Sequence, residues 1–596
     1  MRIIEKIDNN PKSSFGVLFA GLTIYQILLV FQGFDVCDSG WYATFYQNIF
    51  SNPSSVEYNF LYWFTGIIGG LFVKLFPDTG LIGIRLLGVI NVSAIIFIVY
   101  QLLFKHINHI ALYIGLIIVT ISFVGMPTEF FHNNLSSLLF VGASLALYKG
   151  LERDNPYLLA LSSMLLALNI FTRLPNILDI GLIFIVVLHG FYFKEIKLVI
   201  IKRISILLTC YIISIICILG IMKLIGHYDI YVRSLNGIRD VGFGNTENTH
   251  GLSKMLLTNI NSYKSVIVTG SLATLLILIL TYFLSLLSVN KYKKYMWLAI
   301  VISILVLAYL IRKFTTIYLL YYFSLIALFY NILFEKKINL KLLSWMGLFM
   351  LIVMPLGSDF SIGNFGNYSV WIAIPLVINL FLSEGFAIDL NINSFSLKKQ
   401  FNLRIDHHNF KMALSLFLLV FMSKVLLSSV NTSYFDSGSR ILKTYKINND
   451  KAKAIFTTRE RAKTINDLLF GIDPFLKAGD YLIAYESIPM IYYLTSTKPF
   501  LYDSWLMSSA GLPLKLKIER AYRENRPLPL VIRQKFETIG HFGIPYDDYI
   551  SDNRESTRYV SQEQTKLFNQ FLLDNKYKVV WQNSHFILYK PQSSQN

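Results

Sequence analysis

Charged residues are scarce in this chain, and that scarcity excludes an ordinary soluble protein. Only 15% of the 596 residues are Asp, Glu, Lys or Arg, whereas a soluble globular domain usually carries about 25%. Hydrophobic residues make up 54% of the chain. They come in blocks of roughly 17–25 residues, which is the length a helix needs to cross a bilayer. The composition therefore predicts a polytopic α-helical membrane protein.

Cysteine is scarcer still, and this excludes a disulfide framework. Cys37 stands alone, while Cys210 and Cys217 lie inside one apolar block, and the sequence has neither a C-x-x-C motif nor a His-rich metal box. The net charge of +18 does not indicate nucleic acid, because the basic residues form short clusters between apolar blocks. Such placement is typical of a membrane topology signal.

The apolar blocks predict about thirteen membrane spans with the N-terminus inside. The predicted spans are 14–32, 82–104, 109–124, 133–149, 156–172, 176–193, 203–225, 264–288, 295–311, 314–334, 342–356, 369–384 and 411–430. Lys and Arg cluster in the predicted inner loops, and the predicted outer loops 125–132 and 357–368 contain neither. This asymmetry follows the positive-inside rule. It predicts a membrane domain over 1–430 and an outer location for the residues that follow.

The segment 58–76 is apolar enough to be a further span, but the charge pattern disfavours that interpretation. Counting it would move nearly every basic cluster to the outer side. Its aromatic start and its glycines (Gly66, Gly69 and Gly70) instead predict a helix lying along the outer membrane surface.

Residues 431–596 have a different composition and predict a soluble α/β domain. Residues 481–485 and 529–534 have the pattern of strands, and 561–575 that of a helix opened by a Ser561–Gln564 capping box. The chain then closes in a predicted hairpin around Asn583.

Three basic residues lie in predicted outer turns, against the charge rule: Arg173, Arg312 and Lys313. Each could extend along the membrane to reach the headgroups. Together they could instead form a cationic cluster that binds a lipid phosphate, with Arg85 at the start of the second span contributing. The sequence leaves both interpretations open.

The stretch FDVCDSGWYATFYQNIF follows the first predicted span and carries two acids, Asp35 and Asp38, without a basic residue. Asp38 and Ser39 could cap a short surface helix. Capping explains one acid but not two, and a carboxylate beside the bilayer is costly unless it is used. The pair could act as a general base with a supporting group, or as ligands for a divalent cation.

This region resembles the GT-C integral-membrane glycosyltransferases, which include the lipid A aminoarabinose transferase and the protein O-mannosyltransferases. The resemblance is carried by Asp38-Ser39-Gly40-Trp41-Tyr42, the aromatic and glycine-rich segment 58–76, and Arg85. Ser39 replaces the second acid of the usual pair, and no Lys precedes Tyr58. Metal use and the mode of phosphate binding therefore stay open.

The resemblance implies a transfer reaction at the outer face of the membrane. The sugar would come from a polyprenyl-phosphate carrier and pass to a glycan, lipid or protein acceptor. Asp38 would be the catalytic carboxylate and Asp35 would support it. The expected substrate-binding residues are Trp41, Tyr42, Tyr58, Arg85, Arg173, Arg312 and Lys313, with Asn133 and Asn364 from two other outer loops.

Two other functions stay open. One is a polysaccharide polymerase or ligase of another membrane fold, and the other is a transporter or flippase of lipid-linked glycans. Transporters often show repeated halves and ionisable groups near the bilayer midplane. This sequence has no evident repeat and gathers its unusual charges at the outer surface, which favours an enzyme. Its Ile-, Asn- and Lys-rich composition indicates a bacterial inner membrane.

Overall fold

A computed structural model describes most of the chain. The described residues are 10–123, 125–242, 252–287, 293–358, 360–383, 389–392, 401–404, 407–506, 514–540, 542–553 and 560–592.

The part before residue 432 is almost entirely helical where it is described. Its helices are α1 (Pro11–Leu29), α2 (Asp38–Asn48), α3 (Trp63–Leu75), α4 (Gly80–Leu103), α5 (His109–Ser122), α6 (His132–Glu152), α7 (Pro156–Thr172), α8 (Phe184–Phe193), α9 (Lys197–Leu224), α10 (Tyr228–Gly242), α11 (Leu252–Leu287), α12 (Met296–Ile311), α13 (Thr316–Phe334), α14 (Ile338–Val353), α15 (Ile362–Ser369), α16 (Ala373–Leu382) and α17 (His407–Asn431). A two-stranded ribbon, β1 (Asp389–Ile392) with β2 (Phe401–Arg404), precedes α17. The predicted helical membrane architecture is confirmed.

The predicted number of spans is not confirmed, although every predicted span overlaps a helix. Within the described residues, seven helices are long and apolar enough to cross a membrane. An eighth is gained if α15 and α16, bent by 68° at the break between them, form one span. Four further apolar helices, α5, α7, α12 and α14, fall in the 10–17 residue range.

The segment predicted to lie on the surface forms a 3₁₀ helix, Pro53–Tyr62, followed by α3. With 13 residues, α3 is shorter than the roughly 20 needed for a span. Its glycines let it approach α2 closely. A Cβ on Gly66 would lie 2.2 Å from the Phe45 ring, and one on Gly69 would lie 2.4 Å from the Tyr46 ring. The glycines noted in this segment of the sequence therefore allow α3 to pack closely against α2.

The C-terminal part is the predicted α/β structure. Its elements are β3 (Tyr445–Lys446), β4 (Phe456–Thr457), α18 (Arg459–Ile472), β5 (Tyr481–Tyr485), α19 (Met490–Thr495), β6 (Lys498–Pro499), α20 (Leu514–Arg523), β7 (Leu530–Gln534), α21 (Gln562–Asp574), β8 (Tyr577–Gln582) and β9 (Phe586–Pro591). Five strands form one sheet in the order β6-β5-β7-β9-β8, parallel across β6, β5 and β7 and antiparallel beyond. The Ser561–Gln564 capping box is present.

Alternation along the strands divides the sheet between two cores. Leu482 and Ile532 face the core that continues into the helical part. Ile483 and Val531 face a separate core with α20 and α21. Side chains along a strand alternate between faces. One side of the sheet therefore packs toward the first loop, the segment between α1 and α4, and the other side packs against α20 and α21.

The C-terminal part is hydrogen-bonded to the stretch between α1 and α2. The Met490 N–H donates to the Val36 carbonyl at 3.0 Å, and the Gly33 N–H donates to the Phe456 carbonyl at 2.8 Å. A Cβ on Gly40 would lie 2.1 Å from the Met490 backbone nitrogen, so α2 and α19 meet at a glycine. The boundary predicted near residue 430 stays a prediction.

Candidate active site

Asp35 holds the start of α2. Its Oδ1 accepts the Cys37 N–H at 2.8 Å and its Oδ2 accepts the Ser39 N–H at 2.7 Å. These are N–H groups that have no partner inside the helix. Burial, together with the negative charge of Asp38, raises the pKa of Asp35, while the two N–H bonds oppose that rise. The sequence suggested capping by Asp38; the structure shows that Asp35 does this work.

Asp38 is therefore relieved of the capping role. It is the first residue of α2 and remains partly exposed, unlike its buried neighbours. Its carboxylate accepts a hydrogen bond from the Tyr434 hydroxyl. Burial raises the pKa of Asp38 to about 6; the bond from Tyr434 acts to lower it, and the charge of Glu129 raises it. A carboxylate with that pKa is ionised at neutral pH and is a stronger base than an ordinary Asp.

Tyr434 reaches Asp38 from the turn that follows α17, and the sequence analysis missed it. Its ring stacks on Phe435 at 4.3 Å. The adjacent Asp436 accepts the Phe34 N–H at 2.8 Å and the Thr457 hydroxyl at 2.7 Å. Arg461 donates to the Phe34 and Phe435 carbonyls. These bonds tie the Tyr434 turn to the first loop.

The three predicted aromatic residues of the first loop come together. Trp41 lies 4.8 Å from Tyr42 and 6.3 Å from Tyr58, measured between ring centroids. The Tyr42 hydroxyl contacts His132 Nδ1, and the Tyr42 ring lies 4.2 Å from Phe131. Phe131 in turn lies 6.5 Å from the ring of Tyr434, which contacts Asp38. These rings form an aromatic wall that ends at His132, the first residue of α6: Trp41, Tyr42, Tyr58 and Phe131.

Arg173 lies beyond this aromatic wall. Its guanidinium lies 3.8 Å over the Phe365 ring, and the His132 ring lies 6.1 Å from that of Phe365. Its Nη1 and Nη2 donate to the Met354 and Leu356 carbonyls. The structure thus connects Asp38 to Arg173 through a continuous run of rings.

The two predicted asparagines lie near the same rings in sequence. Asn133 follows His132 in the first turn of α6 and is partly buried. Asn364 precedes Phe365 in α15 and is exposed.

Arg85, which was predicted to bind substrate, is buried and hydrogen-bonded within the protein. Its Nε donates to the Glu129 carboxylate at 2.8 Å, and Nη1 and Nη2 donate to the Val30 and Gly33 carbonyls. Arg85 and Glu129 line a small polar cavity that Asp35 and Tyr434 also line. Arg85 thus joins the Glu129 carboxylate to the stretch between α1 and α2, and its role in substrate binding stays a prediction.

Arg312 and Lys313 share surroundings that differ from those of Arg173. Both are exposed, and both charges lie over the ring of Tyr309, at 5.7 and 5.3 Å. Arg173 is 3% exposed. The exposed pair fits the alternative in which the side chains extend toward headgroups, and the cluster of three cations stays a prediction.

The Asp35–Asp38 pair is not arranged as a ready cation site. Among the described residues, no three His, Cys, Asp or Glu side chains come together as a group that could hold a metal ion. Both oxygens of Asp35 accept backbone N–H groups, and Asp38 accepts from Tyr434. The divalent cation stays a prediction.

Several solved structures are similar to this chain, and two of them are described here. The archaeal oligosaccharyltransferase AglB from Archaeoglobus fulgidus, in complex with an inhibitory peptide and a dolichol-phosphate, matches 87% of this chain and 69% of its own, with 12% identity and a TM-score of 0.42. ArnT from Cupriavidus metallidurans, bound to undecaprenyl phosphate, matches 98% of this chain and 99% of its own, with 10% identity and a TM-score of 0.44. Both are GT-C membrane glycosyltransferases. No family model matches the sequence, and no curated protein matches it. With TM-scores below 0.5, these likenesses assign no activity to this chain.

Proposed function

We propose that the chain is a glycosyltransferase that moves a sugar from a polyprenyl-phosphate carrier to an acceptor hydroxyl at the outer face of a bacterial inner membrane. The observation that carries the proposal is that the two acids make different contacts. Asp35 caps α2, and Asp38 is held partly exposed beside Tyr434 and the aromatic wall. Asp38 is thereby fixed in position and available to a substrate.

The proposed reaction begins with the acceptor. Asp38 accepts the proton of the acceptor hydroxyl as the acceptor oxygen forms a bond to the anomeric carbon of the sugar. The bond between that carbon and the carrier phosphate oxygen breaks, and the phosphate leaves with the electron pair. A positioned general base typically contributes about 10²–10⁴-fold to the rate.

Arg173 is the proposed partner of the carrier phosphate. It is the buried cation that the aromatic wall connects to Asp38, and its charge would stabilise the negative charge that the leaving phosphate develops. Trp41, Tyr42 and Tyr58 present ring faces on which a sugar can stack.

The test uses the full chain in sealed proteoliposomes with polyprenyl-phosphate-linked radiolabelled sugars. The expected products are free polyprenyl phosphate and labelled acceptor, both lost in the Asp38→Asn variant. Tyr445→Phe, which changes an exposed tyrosine outside the site, is the matched control and should transfer normally. Movement of an intact lipid-linked sugar between leaflets without its cleavage would overturn the proposal in favour of a flippase.

A further inference from the structure

The 3₁₀ helix Arg440–Leu442 carries two large apolar side chains that are exposed on the surface of the protein. Ile441 is 70% exposed and Leu442 is 66% exposed. Neither contributes to the apolar cores, whereas Arg440, the first residue of the turn, is buried. Exposed aliphatic side chains that are adjacent on a short, well-anchored turn need an apolar partner.

This turn is fastened to the ends of two membrane-length helices. Arg440 Nη1 donates to the Leu29 and Gln32 carbonyls, at 3.2 and 3.1 Å, where α1 ends. The Ser439 hydroxyl donates to the Val430 carbonyl at 3.4 Å, where α17 ends. Both helices are candidate spans. Ile441 and Leu442 therefore lie at the level where two spans leave the bilayer.

The surface around the turn has the composition of a membrane interface. Leu28 and Leu427, near the ends of α1 and α17, are exposed apolar residues. On the other side of the turn, Tyr445 and Lys446 are exposed. An apolar band that gives way to Tyr and Lys is the pattern found where membrane proteins meet the headgroups.

We propose that Ile441 and Leu442 insert into the outer leaflet and anchor the C-terminal domain to the lipid beside α1 and α17. Lipid is favoured over a protein partner because the two side chains continue the exposed apolar surfaces of two spans. The anchor belongs to the same segment as Tyr434, so it would hold the root of the outer domain near the site. The inference does not depend on the proposed reaction.

The test measures quenching of a fluorophore by brominated lipid. Ile441→Cys is made in a chain carrying Cys210→Ala and Cys217→Ala, labelled with bimane and placed in nanodiscs; the background chain without Ile441→Cys corrects for any labelling of the buried Cys37. Bimane at 441 should be blue-shifted and quenched by phospholipids brominated near the carbonyl end of the chain. Leu442→Cys should behave alike and serves as the second variant.

Leu573→Cys is the matched control. Leu573 is 71% exposed, but it lies on α21, which packs on the face of the sheet turned away from the first loop. Bimane there should report water and resist quenching. Absence of quenching at both 441 and 442 would overturn the proposal, as would equal quenching at 573.

Discussion

Asp35 and Asp38 lie three residues apart at the start of α2, yet their carboxylates have different partners. Asp35 accepts two backbone N–H groups and is 2% exposed. Asp38 accepts a hydrogen bond from the hydroxyl of Tyr434, which is far from it in the sequence. A residue that caps a helix contributes to stability, whereas a residue that carries a proton contributes to rate. Substitutions can therefore separate the two.

Asp38→Asn should lower kcat/KM for sugar transfer by about 10²–10⁴-fold, because an amide cannot accept the acceptor proton. Its Tm should stay close to that of the parent, since Asp38 is not the cap. Asp35→Ala should instead lower stability by about 0.5–2 kcal/mol through loss of the cap. Transfer assays and thermal unfolding in detergent measure the two effects. Near-normal transfer by Asp38→Asn would contradict its assignment as the base.

Tyr434→Phe should move the pH dependence of transfer. The Tyr434 hydroxyl donates to Asp38 and lowers its pKa, so removing the hydroxyl lets the pKa rise above about 6. The base works only when ionised, and activity is lost as pH falls through that pKa. The acid limb of the kcat/KM profile should therefore shift to higher pH. An unmoved limb, matching that of Tyr445→Phe, would leave Tyr434 a purely structural group.

At the residue scale, the sequence singled out Asp35 and Asp38 but did not predict the different contacts that their carboxylates make. A cap is normally sought immediately before the first helical residue, and Asp38 met that description. Contacts of Val36 and Cys37 with residues 487 and 490 set where α2 begins, which transfers the cap to Asp35. Tyr434 is 396 residues from Asp38 in the chain, so no local pattern could pair them.

At the scale of elements, α2 is packed tightly between α3 and α19. Glycines stand at both contacts, Gly69 against the Tyr46 ring and Gly40 against the Met490 backbone. The sequence revealed the glycines of α3 but suggested only a surface helix. Their packing role depends on the partner, which hydropathy does not specify.

Gly40→Ala should destabilise the protein by about 1–3 kcal/mol, the usual cost of overpacking. The new Cβ would lie 2.1 Å from the Met490 backbone nitrogen, which cannot rotate away. Gly21→Ala is the control, since nothing lies within 4 Å of its Cβ position in α1. Thermal unfolding of the purified variants compares them. Equal Tm values for the two would show that α2 and α19 are not held this closely.

At the scale of the whole molecule, hydropathy located the helices better than it counted the spans. Every span predicted from hydropathy overlaps a helix. The sequence does not show, however, whether the short helices α5 and α7, with 14 and 17 residues, cross the membrane. The break between α15 and α16 turns the chain by 68°. The predicted span 369–384 coincides with α16, whereas α15 lies in the segment predicted as an outer loop, because its glycines and asparagines lower its mean hydropathy.

Orientation is the remaining prediction, and it rests on the placement of Lys and Arg. With the N-terminus inside, residues around Asn52 and Gln564 should be outside, and residues around Lys293 should be inside. We therefore expect Ser51→Cys and Glu563→Cys to react with an impermeant thiol reagent in intact cells, and Lys294→Cys to react only after the membrane is permeabilised. All three positions are exposed on the protein.

The labelling experiment uses the chain with Cys210→Ala and Cys217→Ala, so that the buried Cys37 is the single native thiol left. Reaction of all three cysteines after permeabilisation is the control for accessibility. If Lys294→Cys reacts in intact cells while Ser51→Cys does not, the orientation is inverted. Asp38 would then face the cytoplasm, and a transfer reaction at the outer face would be excluded, because the first loop and the C-terminal part are bonded together on one side.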